Sequence, residues 1–133
     1  MGAGTGRAAG IATVERGAVL LVPFPFADLT GQKQRPALVV SPRGFHPEDV
    51  VVCAITSQVP AQLSQWEVAL EARDLEGQQL PKPSMIRVGK LFTIHQGLVR
   101  GRYGRVRAAK LDEVLNRLRM LFGAPPPGGN NPR

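Results

Sequence analysis

The feature that most constrains the fold is the division of the apolar residues into short runs separated by turn-forming residues. The runs are "AVLLVPFPF", "RPALVVS", "VVVCAITS", "WEVALEA" and "MIRVGKLFTI". Each is long enough for a strand, and the segments between them are rich in Gly, Pro, Asp and Ser, a pattern typical of β structure. The sequence therefore predicts about five short strands. The β-branched run "VVVCAITS" is expected to be buried on both faces, and Gly89 is expected to bend or bulge the last strand.

Only one stretch, "AAKLDEVLNRLRMLFG", has the period of a helix. Its apolar residues recur at intervals of three and four and are Leu111, Val114, Leu115, Leu118, Leu121 and Phe122. Gly123 is a suitable C-cap, and Pro125 prevents the helix from continuing. Short strands followed by one helix predict a mainly β fold, a small antiparallel barrel or half-barrel with a C-terminal α-helix packed on it.

The composition predicts one domain flanked by two tails. The chain has 133 residues, of which 43% are hydrophobic, which suits a single domain. Residues 1–13 are rich in Gly and Ala, residues 124–133 are rich in Pro, Gly and Asn, and both are predicted to be disordered, leaving 14–123 as the folded domain. No run approaches the ~20 apolar residues of a membrane span, and the N-terminus lacks the apolar core of a secretion signal. We therefore expect a cytoplasmic protein.

The charge balance favours an anionic partner. Lys and Arg number 17 against 10 Asp and Glu, a net charge of +7. Such a surplus suits nucleic acid, an acidic peptide or anionic lipid, and the alternative is a well-solvated basic surface. The later basic residues are Arg87, Lys90, Arg100, Arg102, Arg105, Arg107 and Lys110. The segment "VRGRYGRVR" is interpreted either as an RNA-binding surface or as a solvated loop leading into the helix.

Cysteine and histidine offer little chemistry in this sequence. The single Cys53 lies within an apolar run, so we interpret it as a small buried hydrophobic residue in a reducing compartment and a poor nucleophile. His46 and His95 lie in separate loops, and nothing in the sequence brings them together. No Cys/His spacing indicates a metal site, so no metal and no cofactor are expected.

Arg35 is the first candidate for a functional side chain. A residue before proline is held in extended geometry, so Arg35 is fixed at the junction between a loop and a strand by Pro36. A guanidinium is always charged, and its planar fork suits a phosphate. The alternative is a surface arginine that pairs with Asp28.

Hydroxyl groups end the most apolar strand, in "ITSQ". Thr56 and Ser57 either cap the strand end through bonds to local backbone or present their hydroxyls to a ligand. If the "RPALVV" and "VVVCAIT" strands are antiparallel neighbours, Arg35 and Thr56 emerge at the same end of the sheet. An arginine and a hydroxyl at one end of a sheet would bind a phosphodiester.

Together these segments resemble the MazF/PemK family of toxin endoribonucleases. The matching pieces are "ERGAVLLVPF", "DLTGQKQRPALVVS", "VVVCAITSQ", "PSMIRVGKLFTI" and "GRVRAAKLDEVLNRLRMLFG", in order over residues 14–123. Ala18 stands where the family's opening "RGDV" motif usually has Asp. The resemblance implies an SH3-like barrel of the MazF/PemK/CcdB type with a C-terminal helix, usually as a homodimer.

The resemblance also implies an activity and partners. Family members are toxins of type II toxin–antitoxin systems that cleave single-stranded RNA at short sequences without a metal, leaving 2′,3′-cyclic phosphate and 5′-hydroxyl ends. Each is paired with an antitoxin whose flexible, often acidic segment lies across the RNA-binding groove. Operator DNA is contacted only through the antitoxin, and no cofactor or membrane is involved.

The family's catalytic residues fall on Arg35 and Thr56. The residues expected to bind the substrate are Gln32, Lys33, Gln34, Ser57, Gln58, Arg87 and Lys90, and Trp66 is a candidate for stacking on a base. Many relatives carry an acid, proposed as the base, in a longer loop before the arginine. Here that loop is "TGQKQ" without an acid, Asp28 is the nearest candidate, and cleavage specificity is not inherited because the loop helps to set it.

Two other functions stay open on the sequence. A CcdB-like toxin acts on a protein target such as gyrase, which would place function on the C-terminal helix and give growth inhibition without RNA cleavage. A catalytically inactive RNA- or peptide-binding barrel would bind RNA without turnover. The combination of "RP" with "ITSQ" favours the ribonuclease.

Overall fold

Seven strands and one α-helix make up the part of the chain that the computed structural model describes, residues 14–24 and 33–123. The strands are β1 (Ala18–Pro23), β2 (Gln34–Val39), β3 (Asp49–Thr56), β4 (Glu67–Leu70), β5 (Leu75–Glu76), β6 (Ser84–His95) and β7 (Gly101–Val106), and the helix is α1 (Ala108–Leu121). The two tails predicted at 1–13 and 124–133 lie outside these residues, as do Gln32 and Asp28.

The strands form one antiparallel sheet in the order β4-β6-β3-β2-β1-β7-β5. The two edge strands, β4 and β5, are separated in the chain only by residues 71–74, of which Ala72–Asp74 form a 3₁₀ helix. This short connection brings the edges of the sheet together, so the sheet curls into a nearly closed barrel. The predicted fold class, a small antiparallel barrel with a C-terminal helix, is confirmed.

The prediction of about five strands was too low by two. Strand β7 runs through "GRYGRV", which the sequence presented as a loop or helix start, and β5 is only two residues long. Glycine and arginine have little strand propensity, so pairing with neighbours decides the conformation here. Strand β7 is held on one side by β1, where Ala18 pairs with Arg105, and on the other by β5, where Leu75 pairs with Val106.

The helix packs on the barrel core through the middle of its apolar face. Val114 is fully buried, and Leu111, Leu115 and Leu118 pack against the same cluster. Leu121 and Phe122, predicted on this face, are instead 36% and 72% exposed, because the last turn contributes no side chain to the core. Gly123, with a φ of +83°, ends the helix as predicted. No helix in the described residues is long and apolar enough to cross a membrane.

Strand β3 is buried on both faces, as its composition predicted. Cys53 and Ile55 join the cluster that contains the helix, whereas Val50 and Val52 join a second cluster on the other face of the sheet. That second cluster consists of Ala18, Leu20, Val22, Ala37, Val39, Val50, Val52 and Ile94. Alternate residues of β1, β2 and β3 therefore point to two separate cores, which fixes the register of the central strands.

Strand β6 carries the irregularity that Gly89 predicted. Cys53 of β3 pairs with Leu91, but the next residue, Ala54, pairs with Arg87, so three residues of β6 are extra at this point. Gly89 is one of the three. The bulge bends β6 so that its first half also pairs with β4, where Val68 lies opposite Ile86.

Burial makes Cys53 unreactive. The residue is 0% exposed, and burial raises the pKa of its thiol from an ordinary 9.0 to about 12. Since the thiolate is the nucleophile, we expect an aromatic disulfide reagent at pH 8 to leave the native protein unlabelled and to label it fully in denaturant. Rapid labelling of the native protein would contradict this assignment.

The same shift predicts a stability change in alkali. The pKa of the Cys53 thiol is higher in the folded state than in the unfolded state. Its contribution to the free energy of unfolding is therefore complete below pH 9 and is lost between pH 9 and about 12. The loss approaches ~1.4 kcal/mol per pH unit within that window. Urea unfolding of the wild type and Cys53→Ala at pH 8 and pH 10 measures it, and equal pH dependence in both proteins would contradict it.

Candidate active site

A cavity of about 420 Å³ opens where β2 begins and β3 ends. Its walls come from these two strand ends, from β1 and β7, and from residues 80–84, which lead into β6. The lining residues are Leu21, Lys33, Gln34, Arg35, Pro36, Ile55, Thr56, Ser57, Leu80, Pro81, Lys82, Ser84 and Tyr103. Both residues that the sequence singled out for catalysis are among them.

Strand pairing explains why Arg35 and Thr56 meet. Strands β2 and β3 are antiparallel neighbours, with Ala37 opposite Ala54. The pairing ends there, and Arg35 and Thr56 each lie two residues beyond it, at the same end of the two strands. Pro36 has no N–H to donate, and the ladder to β3 starts only after it, so the strand ends are open at this point. The prediction that these strands are antiparallel neighbours with both residues at one end is confirmed.

The Arg35 guanidinium lies against an aromatic ring, and its other candidate partner, Asp28, lies outside the described residues. The guanidinium carbon of Arg35 lies 5.4 Å from the centroid of the Phe24 ring, a cation–π distance. Phe24 in turn contacts Phe92 edge to face, with ring centroids 5.6 Å apart. The Nε atom of Arg35 is buried and has no hydrogen-bond partner among the residues described. A fixed positive charge with unmet hydrogen-bonding capacity favours the binding of an anion.

The Thr56 hydroxyl forms the local bond of a strand-end cap, and its presentation to a ligand stays a prediction. The backbone N–H of Gln58 donates to Oγ1 of Thr56 at 3.1 Å, which is the local bond expected of a strand-end cap. A hydroxyl that accepts one hydrogen bond keeps its own hydrogen for donation. Thr56 therefore remains able to donate a hydrogen bond into the cavity that it lines.

The predicted substrate-binding residues divide into three groups. Lys33, Gln34 and Ser57 line the cavity. Gln58, Arg87 and Lys90 do not, and Gln32 lies outside the described residues. Arg87 lies on β6, opposite Ala54 of β3 on one side and Glu67 of β4 on the other. A contact between RNA and any of these residues, including those that line the cavity, stays a prediction.

The aromatic and histidine candidates lie elsewhere. Trp66 is not part of the cavity wall, and its carbonyl accepts a hydrogen bond from the N–H of Val88. The two histidines lie at one end of the sheet, where both contact Glu48. The N–H of Glu48 donates to His46 Nδ1, and the Glu48 carboxylate lies 3.4 Å from His95 Nε2. Neither histidine lines the cavity, so an acid–base pair of histidines at this site is absent.

Sequence reasoning missed part of the cavity wall. Leu80 and Lys82 line the cavity but carry no motif, and Tyr103 was visible only as one aromatic residue among arginines. Gly101 pairs with Leu21, which brings β7 to the cavity. The residue before β7 is also tied to β1, because the N–H of Arg100 donates to the carbonyl of Leu21 at 2.7 Å.

Comparison with known proteins decides the family. The sequence profile of the PemK-like, MazF-like toxins of type II toxin–antitoxin systems matches residues 15–122. The chain belongs to this family. The resemblance inferred from the sequence motifs is thereby confirmed, and the match covers the barrel, the cavity and the helix. No curated protein matches the chain significantly.

Solved structures of toxins share the fold. An endoribonuclease in complex with its cognate antitoxin, from a mycobacterial species, is 24% identical, with a TM-score of 0.67 and coverage of 86% of this chain and 99% of that one. MazF from Deinococcus radiodurans is 24% identical, with a TM-score of 0.65 and coverage of 84% and 97%. A MazE–MazF structure from the same organism is 22% identical, with a TM-score of 0.67 and coverage of 85% and 99%.

Proposed function

We propose that the chain is an endoribonuclease toxin that cleaves single-stranded RNA and is neutralised by a cognate antitoxin. The observation that carries this proposal is the position of Arg35 and Thr56, which lie at the same end of two neighbouring antiparallel strands and line one cavity. Lys33 and Lys82 add positive charge to the same cavity, and the chain as a whole carries +7. Both suit a polyanionic substrate.

The proposed reaction needs no nucleophile from the protein. The ribose 2′-hydroxyl attacks the adjacent phosphorus, the bond from phosphorus to the 5′-oxygen breaks, and the products end in a 2′,3′-cyclic phosphate and a 5′-hydroxyl. One proton leaves the 2′-hydroxyl for a base, and one proton reaches the departing 5′-oxygen. Arg35 binds the non-bridging oxygens as their charge grows, and the Thr56 hydroxyl donates to the same phosphate. Fixed donors of this kind supply a large part of such a rate enhancement.

The cavity lining limits which residues could act as the base that accepts the 2′-hydroxyl proton. Within the part of the chain that is described, the lining contains no carboxylate and no imidazole. Stabilisation of charge by Arg35 therefore carries most of the proposed mechanism, and Asp28 stays the candidate base on the sequence. We propose that cleavage requires no metal ion.

The proposal includes the biological setting. Two of the similar structures are described as complexes with an antitoxin, and the basic surface of this chain suits a flexible acidic segment. We propose a homodimer in the cytoplasm that contacts operator DNA only through the antitoxin. Exposed apolar side chains at the end of α1, those of Met120 and Phe122, are available for a protein contact.

Cleavage of a long single-stranded RNA tests the proposal. Purified wild type is incubated with the RNA in EDTA, and the fragment ends are mapped. We expect cuts at a few short sequences, cyclic phosphate on the upstream fragment and a free 5′-hydroxyl on the downstream one. Intact RNA with a protein that still arrests growth would point to a protein target, and tight RNA binding without cleavage would point to an inactive barrel.

Two substitutions of Thr56 test whether its hydroxyl contributes to cleavage as well as to the local bond with the Gln58 N–H. Thr56→Val removes the hydroxyl at constant volume, and because a hydrogen bond to a charged group contributes ~1.5–3 kcal/mol, we expect kcat to fall by about 10- to 100-fold. Thr56→Ser keeps the hydroxyl and should stay within a few-fold of the wild type. Thermal unfolding of both variants controls for the lost bond from the Gln58 N–H, and unchanged kcat in a folded Thr56→Val would exclude Thr56 from the mechanism.

A further inference from the structure

Phe92 is connected to Arg35 through one aromatic ring. The guanidinium carbon of Arg35 lies 5.4 Å from the centroid of Phe24. That centroid lies 5.6 Å from the centroid of Phe92, with the two ring planes at 90°. Both distances are within the ranges of cation–π and edge-to-face aromatic contacts. Neither ring is among the described residues that line the cavity, so an effect of Phe92 on the site would pass through Phe24.

The side chain of Arg35 relies on the Phe24 ring for its direction. Pro36 restricts the backbone of Arg35 but leaves its side-chain torsions free, and arginine has more rotamer freedom than most residues. The buried Nε atom has no hydrogen-bond partner in the part of the chain that the structure describes. A donor that is in place before the substrate arrives stabilises charge in the transition state without reorganisation. The orientation of the Phe24 ring therefore affects how well Arg35 can act.

Phe92 is anchored more firmly than Phe24. It lies within β6, opposite Val52 of β3, and its side chain packs against the second cluster. Phe24 comes directly after the end of β1, where its N–H donates to the carbonyl of Lys33 at 3.2 Å. A ring on a paired strand supports a ring at a strand end, so Phe92 limits the orientations that are open to Phe24.

The bulge in β6 decides which face of the sheet Phe92 occupies. Before the bulge, the even-numbered residues Ile86 and Val88 belong to the cluster that contains the helix. After it, the even-numbered residues Phe92 and Ile94 pack with the second cluster. Side chains alternate between the faces of a strand, so the three extra residues, an odd number, exchange the two faces. An unbroken strand would direct position 92 to the helix side of the sheet, away from Phe24.

We propose that Phe92 is a positioning residue for Arg35. Its edge-to-face contact holds the Phe24 ring in the orientation against which the guanidinium lies, and Phe92 itself does not touch the substrate. The proposal rests on the proposed ribonuclease function and adds to it a residue that carries no charge and lies on a different strand. It predicts a slower chemical step at an unchanged affinity for RNA.

Cleavage kinetics on one RNA oligonucleotide with a mapped site test the proposal. Phe92→Leu removes the ring but keeps an apolar side chain, and we expect kcat to fall by about 3- to 10-fold while KM stays within about two-fold. Phe92→Tyr keeps the ring and should cleave like the wild type. Residues that act through one contact are not additive, so Phe92→Leu should cause little further loss when it is added to Phe24→Leu. If Phe92→Leu does not fold, Phe92→Met fills more of the same space and takes its place.

Ile94→Val is the matched control for lost packing. Ile94 lies on the same strand and belongs to the same second cluster, so this variant loosens that cluster without removing a ring. We expect it to lower the melting temperature and to keep kcat. If Ile94→Val and Phe92→Leu lose kcat equally at a temperature where both are folded, Phe92 acts only through stability and the assignment is wrong.

Nuclear magnetic resonance separates this proposal from the ribonuclease function. The ring current of Phe24 shifts the side-chain proton resonances of Arg35, including that of Hε. We expect Phe92→Leu to move these resonances and Ile94→Val to leave them unchanged. If the wild type cuts no RNA, the proposed function fails, and the resonances still test the positioning contact. If the wild type cuts RNA, and folded Phe92→Leu keeps both kcat and the Arg35 resonances, the positioning assignment is wrong while the ribonuclease stands.

Discussion

Arg35→Ala is expected to abolish most of the RNA cleavage, with kcat about 100- to 1000-fold below that of the wild type. The guanidinium is the charged group that Phe24 and the start of β2 direct at the site, and its Nε has no other partner among the described residues. Removing it takes away the main stabilisation of the charge that builds on the phosphate. Single-turnover cleavage of one RNA oligonucleotide that contains a mapped site measures the effect.

Two further variants show whether the geometry or the charge of Arg35 matters. Arg35→Lys keeps the charge but loses the planar fork, so we expect it to recover only a small part of the activity. Arg73→Ala removes the same charge from a side chain that is 84% exposed and pairs only weakly with Glu71, so it should cleave like the wild type. Equal losses in Arg35→Ala and Arg73→Ala would mean that overall charge, and not the position of Arg35, drives cleavage.

Gly104→Ala is expected to be the most damaging of the conservative backbone substitutions. The added Cβ would lie 1.7 Å from the carbonyl oxygen of Glu76 and 3.1 Å from the N atom of Gln78, both of them backbone atoms. Neither can move without breaking the pairing of β5 with β7, which closes the barrel. We expect a loss of about 3 kcal/mol in the free energy of unfolding, and a melting temperature lower by roughly 10 °C or more.

Gly89→Ala is the matched control for this prediction. Gly89 also lies within a strand, but a Cβ there would have no neighbour within 4 Å. The free energy of unfolding of Gly89→Ala should therefore stay close to that of the wild type, and its RNA cleavage should be unchanged. If Gly104→Ala were as stable as Gly89→Ala, the backbone of Glu76 and Gln78 would not be packed against Gly104 as described.

Local sequence determined the fold class and the catalytic candidates of this protein. The strands at "VVVCAITS" and "RPALVVS" followed from apolar runs bounded by turn residues, and α1 followed from its helical period. Pro36 and the abrupt change from apolar to polar residues after Ile55 marked Arg35 and Thr56 as residues at strand ends. All of these signals lie within a few neighbouring residues, so no knowledge of distant contacts was needed.

Tertiary structure alone decided how the barrel closes and what surrounds the catalytic candidates. Strands β5 and β7 exist because pairing across the barrel overrides the low strand propensity of glycine and arginine. The ring of Phe24 meets Arg35, and Tyr103 meets the end of β3, only after β1, β2, β3 and β7 assemble side by side. A cavity wall is made by residues far apart in the chain, such as Leu21, Leu80 and Tyr103, and local periodicity contains no information about which of them will meet.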